Sequence, residues 1–198
     1  MIILVDGNRF CLKTTICKKV VEMGNSLLSK YGRFELYDTF GDCKKTMHDD
    51  YKCISHLLRM NDKLLELAKV KDVIYVVDGF SISEPMRHLF QTGRELYSGA
   101  IEMIEDMSNT LIGKSLFFMC LNTDAEVIYR HFSIPDNYDM ARNYYRGGNI
   151  RNFYECHPEL YKKFKYYRLG SDSYRDSNVA RSLTEYLLSH INFKEVNI

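Results

Sequence analysis

The sequence predicts an α/β protein with three layers, α/β/α, built on a parallel sheet of about five strands. Short apolar runs alternate along the chain with amphipathic helical stretches. Runs that are apolar throughout are typical of strands covered by helices on both faces of a parallel sheet. The 198 residues, 45% hydrophobic and 27% charged, can bury one sizeable core. We therefore expect residues 1–198 to form a single domain.

The individual elements follow from composition and apolar spacing. The predicted strands are residues 2–5, 34–37, 73–77, 116–121 and 166–169. The predicted helices are a stretch from about residue 14, residues 51–68, a stretch that ends near residue 109, a helix opened by the capping-box pattern at 123–126, and residues 176–191. Since all these strands are predicted to run in parallel, the polar residues that follow them should meet at one end of the sheet.

Charge and cysteine usage limit the classes of protein. The 27 basic and 26 acidic residues give a formal net charge of +1. The protein therefore has no strong overall electrostatic field that would attract nucleic acid or a membrane surface. The apolar runs are far shorter than the roughly 20 residues of a membrane helix. The sequence shows no basic leader, and its six cysteines show no C-x-x-C pair. We expect a soluble cytoplasmic protein with no nucleic-acid or membrane partner.

One cluster has ligand-like spacing for zinc. Cys43, His48, Cys53 and His56 carry thiolate and imidazole groups, which suit zinc. Structural zinc sites usually show tighter paired spacing, so the favoured interpretation is two small core cysteines beside two surface histidines.

The segment after the first predicted strand partly matches the phosphate-binding pattern G-x-x-x-x-G-K-[ST]. Gly7, Lys13 and Thr14 fall in register, whereas Leu12 stands where the second glycine belongs. In this pattern backbone N–H groups and a helix N-terminus hold phosphates, lysine contacts the β/γ oxygens and the hydroxyl holds Mg²⁺. We expect Leu12 to carry strain of about 1–3 kcal/mol and to weaken nucleotide affinity. An ordinary strand-to-helix turn is the alternative.

Several segments in order resemble the thymidylate kinase and deoxynucleoside kinase group of P-loop kinases. They are Val5-Asp6-Gly7, Lys13-Thr14-Thr15, Asp78-Gly79-Phe80, the arginine-bearing segment after Leu121, and the helix after Gly170-Ser171-Asp172. The resemblance spans nearly the whole chain and implies a P-loop kinase-like fold. It further implies ATP as donor, Mg²⁺, a deoxynucleoside or deoxynucleoside monophosphate as acceptor, a lid near residues 130–151, and allows a homodimer.

The resemblance also implies the site residues. The candidate catalytic residues are Lys13, Asp38, Asp78, Arg142 and Arg146. The candidate nucleotide-binding residues are Gly7, Arg9, Lys13, Thr14, Thr15 and Arg130, and the candidate Mg²⁺ residues are Thr14 and Asp78. Asp38 would orient or activate the acceptor, and the lid arginines would stabilise the transferring phosphoryl group, whose charge suits planar guanidinium groups. As a loop lysine, Lys13 is expected to contribute little to folding.

Three departures from the family pattern leave other functions open. Phe10 and Leu12 replace glycines, and Gly79 replaces an arginine. One alternative is a catalytically inactive kinase-fold protein that binds a nucleotide or a protein partner. For the segment 129–151, a solvated loop whose arginines pair with Asp136 and Asp139 is the alternative to a lid.

A metal-dependent nuclease of the flap-endonuclease or PIN-like kind is the other alternative. Such chains also open with a strand that ends in Val-Asp-Gly-Asn, and a later strand ends in Asp-Gly, as residues 5–8 and 78–79 do here. Two-metal hydrolysis needs several converging carboxylates. Asp124, Glu126, Asp172 or Asp176 could be recruited, but the adjacent acidic cluster expected of these nucleases is missing.

Overall fold

The computed structural model describes residues 1–7, 11–39, 50–79, 98–123 and 164–193, together with positions 88, 92 and 96. The strands are β1 (Ile2–Gly7), β2 (Arg33–Asp38), β3 (Val73–Asp78), β4 (Phe117–Thr123) and β5 (Phe164–Leu169). The helices are α1 (Lys13–Leu27), α2 (Asp50–Ala68), α3 (Ser98–Gly113) and α4 (Val179–His190), with 3-10 turns at Ser29–Tyr31 and Ser171–Tyr174.

The five strands form one parallel sheet in the order β2-β3-β1-β4-β5. Strand β1 therefore lies in the centre, and the chain crosses from one half of the sheet to the other after β3. The register pairs Asp38 of β2 with Asp78 of β3, and Val5 of β1 with the same Asp78. The predicted parallel sheet is confirmed, and the polar ends of β1, β2 and β3 lie side by side.

Side chains alternate between two cores, one on each face of the sheet. Ile3 and Val5 of β1 point into the core beneath α1 and α4, which we call the α1-side core. Ile2 and Leu4 point into the opposite core beneath α2 and α3. Since both faces are covered by helices, the architecture is the predicted three-layer α/β/α arrangement.

Strand β2 differs from the expectation of uniformly buried strands. It lies at the edge of the sheet, and Leu36 and Asp38 are exposed. A strand with one neighbour cannot be covered on all sides. The side-chain amide of Asn25, in α1, bonds to main-chain groups of β2 that have no partner strand on the open edge. Its Nδ2 donates to the carbonyl of Phe34 and its Oδ1 accepts from the Phe34 N–H, both at 2.9 Å.

Smaller corrections concern helix boundaries. The closing helix begins at Val179 rather than at residue 176, because the Asp176 carboxylate accepts the Asn178 N–H at 2.8 Å in the preceding turn. Helix α3 continues past residue 109 to Gly113. Thr123, which the capping-box pattern placed at a helix start, is the last residue of β4, and residues 124–126 lie outside the described residues.

The zinc interpretation gains no support from the part of the chain that the structure describes. Cys53 is buried in the core beneath α2 and α3, and Cys43 and His48 lie outside the described residues. Within the described segments no group of three or more His, Cys, Asp or Glu side chains could hold a metal ion. Among the helices of those segments, none is long and apolar enough to cross a membrane.

Candidate active site

The candidate site lies where the carboxyl ends of the central strands meet the start of α1. Asp6 and Gly7 end β1, Asp38 ends β2 and Asp78 ends β3. Ligands of open parallel α/β sheets bind in the crevice beyond these ends, next to the point where the strand order reverses. Here that point is between β1 and its neighbours β3 and β4.

Leu12 holds the conformation that the glycine of the phosphate-binding pattern adopts without cost. Its φ is 63° and its ψ is 12°, in the left-handed region, and it immediately precedes α1. The Ile16 N–H donates to the Leu12 carbonyl at 3.0 Å, which closes the first helical turn. No acidic residue lies in that turn, so its N-terminal amides and the helix dipole favour an anionic partner.

The packing of Leu12 explains why a leucine is accepted there. A left-handed leucine costs about 1–3 kcal/mol, and the Leu12 side chain is partly buried against the α1-side core. Full burial of a leucine contributes about 1.5–3 kcal/mol, so partial burial offsets much of the strain. The strain expected from the sequence is therefore present in the folded chain, and it enters the free energy of folding.

A substitution at position 12 should reveal the strain that Leu12 carries. We expect Leu12→Ile, which keeps the volume but adds a β-branch, to lower the free energy of unfolding by about 1–3 kcal/mol. Urea denaturation of the variant and the unchanged chain measures the difference. A stable Leu12→Ile variant would contradict this account.

Lys13 is the first residue of α1 and is buried, with a relative exposure of 7%. Its Nζ donates to the Gly7 carbonyl at 3.0 Å and lies 3.9 Å from the Cys11 Sγ. Burial raises the pKa of the Cys11 thiol to about 11, so this neighbour stays protonated at neutral pH. The lysine thus bridges the end of β1 and the start of α1. The description of Lys13 as a loop lysine is wrong, because it is a buried residue of α1. We therefore expect it to contribute to stability.

Thr14 and Asp78 join α1 to the end of β3. The Thr14 Oγ1 donates to the Asp78 Oδ2 at 2.6 Å, and Asp78 is 1% exposed. The other carboxylate oxygen, Oδ1, is buried without a hydrogen-bond partner among the described residues. A hydroxyl and a carboxylate are oxygen ligands of the kind Mg²⁺ prefers, and an orphaned buried oxygen beside them fits such a cation. These residues therefore fit a bound Mg²⁺.

The environment of Asp78 shifts its protonation equilibrium. Burial raises the pKa of its carboxyl, an effect that the Thr14 hydrogen bond and the Lys13 charge oppose and that Asp38 and Asp6 reinforce. The folded chain therefore binds this proton more tightly than the unfolded chain does. The contribution of Asp78 to stability is greatest at low pH, and it falls as the pH rises through the unfolded and then the raised folded pKa.

Asp78→Asn is consequently expected to raise the free energy of unfolding at pH 7, because the amide removes a desolvated charge. The difference in the free energy of unfolding between the variant and the unchanged protein should become smaller as the pH falls toward 4. Urea denaturation between pH 4 and 8 measures this difference in stability, with Asp106→Asn on the exposed face of α3 as control. If Asp78→Asn is less stable than the unchanged protein at pH 7, the burial of the Asp78 charge is not the dominant influence on stability at this position.

Two glycines shape the backbone around these side chains. Gly7 has φ 138°, and a Cβ placed on it would lie 1.8 Å from the Leu121 carbonyl oxygen of β4. Its N–H donates to the Asp6 Oδ1 at 2.8 Å. Gly79 has φ 76° and its N–H donates to the Val5 carbonyl at 2.9 Å. Both positions thus need glycine, Gly7 for close approach to β4 and Gly79 for the turn out of β3.

The structure brings together part of the predicted site. Gly7, Lys13, Thr14 and Asp78 converge at the carboxyl end of the sheet. Asp38 is exposed on the neighbouring strand, in register with Asp78, and Thr15 is exposed in the first turn of α1. The remaining candidate residues, Arg9, Arg130, Arg142 and Arg146, lie outside the described residues, as do Phe10 and the lid-like segment 130–151.

Sequence reasoning missed Thr39, which directly follows Asp38. Thr39 is 1% exposed, and its hydroxyl lies 2.7 Å from the Asp78 carbonyl oxygen. The sequence did contain a signal for Thr39: it is a small polar residue at the carboxyl end of a predicted strand, next to the candidate residue Asp38. Nothing in the spacing along the chain connects residue 39 to residue 78, because only the pairing of β2 with β3 brings them together.

The three-layer α/β/α arrangement on a five-stranded parallel sheet is similar to the fold of a solved thymidylate kinase. Thymidylate kinase from Candida albicans superposes with a TM-score of 0.53 at 12% identity, covering 98% of this chain and 92% of that one. Shikimate kinase from Bacteroides thetaiotaomicron matches with a TM-score of 0.49 at 16% identity, covering 96% of each chain. The YorR protein from Bacillus subtilis, solved with phosphorylated GDP, matches with a TM-score of 0.45 at 18% identity and 96% coverage of each chain.

No protein-family model and no curated protein matches the chain. The nuclease alternative is not favoured, because the fold is similar to that of a solved thymidylate kinase and, within the described segments, no three acidic, histidine or cysteine side chains converge as a metal site.

Proposed function

We propose that this protein catalyses ATP-dependent phosphoryl transfer to a deoxynucleoside or a deoxynucleoside monophosphate. The observation that carries the proposal is the 2.6 Å hydrogen bond between Thr14 and the buried Asp78. It places a hydroxyl at the start of α1 against a carboxylate at the end of β3. In P-loop enzymes a threonine and an aspartate from these two elements hold the Mg²⁺ that bridges the β- and γ-phosphates.

The nucleotide half of the proposed mechanism uses the start of α1. The amides of the first helical turn would hold the phosphates, with residue 12 already in the left-handed conformation. Lys13, next to the Gly7 carbonyl, would contact the β/γ oxygens. Thr14 and Asp78 would hold Mg²⁺, which when bound supplies positive charge beside the transferring phosphoryl group. Gly7, Arg9, Thr15 and Arg130 complete the proposed nucleotide-binding set.

The acceptor half uses the next strand. Asp38 is exposed at the end of β2, in register with Asp78. A carboxylate there can orient the acceptor hydroxyl and take its proton. Arg142 and Arg146, in the proposed lid at 130–151, would stabilise charge on the transferring group. The choice of acceptor class rests on the resemblance of the sequence motifs to deoxynucleoside and thymidylate kinases.

A second candidate is a kinase-fold protein that binds a nucleotide or a protein partner without catalysis. Gly79 favours it, because that position lacks the phosphate-contacting arginine of the related kinases, and the glycine is required by its φ of 76°. An arginine could not be restored there without backbone strain.

Two measurements test the proposal. Calorimetric titration with ATP, in Mg²⁺ and in excess chelator, should show Mg²⁺-dependent binding. Transfer of labelled γ-phosphate to a panel of deoxynucleosides and their monophosphates should then yield a phosphorylated product. Binding of ATP without transfer to any acceptor would support the non-catalytic candidate. No binding at millimolar ATP would exclude both the kinase activity and nucleotide binding without catalysis.

A further inference from the structure

Thr39 is a buried polar residue at the edge of the proposed site that the mechanism above does not use. It follows the last residue of β2 and is 1% exposed. Its Oγ1 lies 2.7 Å from the Asp78 carbonyl oxygen and 2.8 Å from the Gly79 carbonyl oxygen. A threonine hydroxyl has one proton, so it serves these two acceptors as a shared or alternating donor.

Both acceptors lie where the chain leaves β3. The Gly79 N–H donates in the other direction, to the Val5 carbonyl of β1 at 2.9 Å. The turn at Gly79, with φ 76°, is therefore held from β1 on one side and from Thr39 on the other. This backbone carries the Asp78 carboxylate, whose Oδ2 meets Thr14.

We propose that Thr39 is a positioning residue for the Mg²⁺ site. Its hydroxyl fixes the peptide of Asp78 and Gly79, so that the Asp78 carboxylate stays aligned with Thr14. Because Thr39 adjoins Asp38, the same hydrogen bonds tie the acceptor side of the site to the metal side. The proposal rests on the proposed function, and Thr39 acts through Asp78 rather than by touching nucleotide or metal.

The removal of this hydroxyl has a defined consequence. A valine at position 39 has nearly the same shape but leaves two buried carbonyls without that donor, which favours rotation of the peptide toward other partners. Mg²⁺ requires near-ideal octahedral geometry, so a small displacement of Asp78 weakens metal binding more than it weakens phosphate binding. Loss of a partner that orients a metal ligand typically costs about 10–100-fold in metal affinity.

The experiment compares Thr39→Val with Thr39→Ser and with the matched control Thr184→Val. Thr184 is also fully buried, and its Oγ1 donates to the Ala180 carbonyl at 2.7 Å within α4. Thr39→Val should raise the Mg²⁺ concentration for half-maximal ATP binding at least about tenfold, with ATP binding in excess chelator unchanged. Thr39→Ser should restore the Mg²⁺ dependence. Thr184→Val should lose stability yet keep the Mg²⁺ dependence of the unchanged protein.

The results of this experiment test the positioning role of Thr39 separately from the proposed function. Unaltered Mg²⁺ dependence in folded Thr39→Val, or an equal shift in Thr184→Val, would overturn the positioning role and leave the proposed function standing. Absence of Mg²⁺-dependent ATP binding in the unchanged protein would overturn the proposed function, and the positioning role with it. If Thr39→Val does not fold, Thr39→Ala, which also lacks a side-chain donor, replaces it and carries the same expectation.

Discussion

Lys13→Met should reduce the proposed phosphoryl transfer by at least about a thousandfold, because removing a charge aimed at the transferring group costs several powers of ten in rate. Methionine is the informative substitution, since Lys13 is buried and an unbranched apolar side chain keeps the packing of its stem. The Nζ donation to the Gly7 carbonyl is lost as well. We therefore expect a modest fall in stability beside a nearly complete loss of turnover.

The matched control for this variant is Lys18→Met, at an exposed position of the same helix. It changes the net charge equally and should retain full activity. Initial rates at saturating ATP, together with urea denaturation of both variants, measure the two effects. Turnover of Lys13→Met within tenfold of the unchanged protein would contradict the role given to this lysine.

Gly7→Ala is expected to be more damaging than the same substitution at Gly24, Gly32 or Gly170. The new Cβ would lie 1.8 Å from the Leu121 carbonyl oxygen and 2.9 Å from the Leu121 nitrogen, so main-chain atoms of β1 and β4 must separate. The φ of 138° adds strain for any L side chain. Overpacking and backbone strain together should lower the free energy of unfolding by about 3 kcal/mol or more.

Gly170→Ala provides the control for Gly7→Ala. Gly170 has extended backbone, and no atom of the described residues, apart from its chain neighbours, lies within 4 Å of the position that a Cβ would take. Its replacement should change the free energy of unfolding by less than about 1 kcal/mol. Urea denaturation compares the two variants directly. Equal stability of Gly7→Ala and Gly170→Ala would mean that β1 and β4 can part at little cost.

The sheet and part of the site could be predicted because they depend on local pattern. Apolar runs mark the strands, and Asp78 was recognised since an acid at the end of a buried parallel strand faces the ligand crevice. Lys13 and Thr14 were recognised from their register with a known phosphate-binding pattern. The hydrogen bond from Thr14 to Asp78 then follows from the pairing of β1 with β3, which places the start of α1 beside the end of β3.

Other features depend on tertiary neighbours that no local pattern contains. The left-handed Leu12 opposes the intrinsic preference of leucine, and only its packing on the α1-side core makes it acceptable. The bond from Thr39 to Asp78 joins residues from two different strand ends, far apart in sequence. The exposure of β2 follows from the strand order, which hydrophobic runs do not encode.

The side-chain amide of Asn25 has a consequence for assembly. An open strand edge is a template on which another chain can continue the sheet. At Phe34 both main-chain groups already bond to that amide, so an incoming strand would have to break two hydrogen bonds before forming its own. Extension of the sheet beyond β2 by a second copy of this chain is therefore opposed at Phe34, by a single residue of the neighbouring helix.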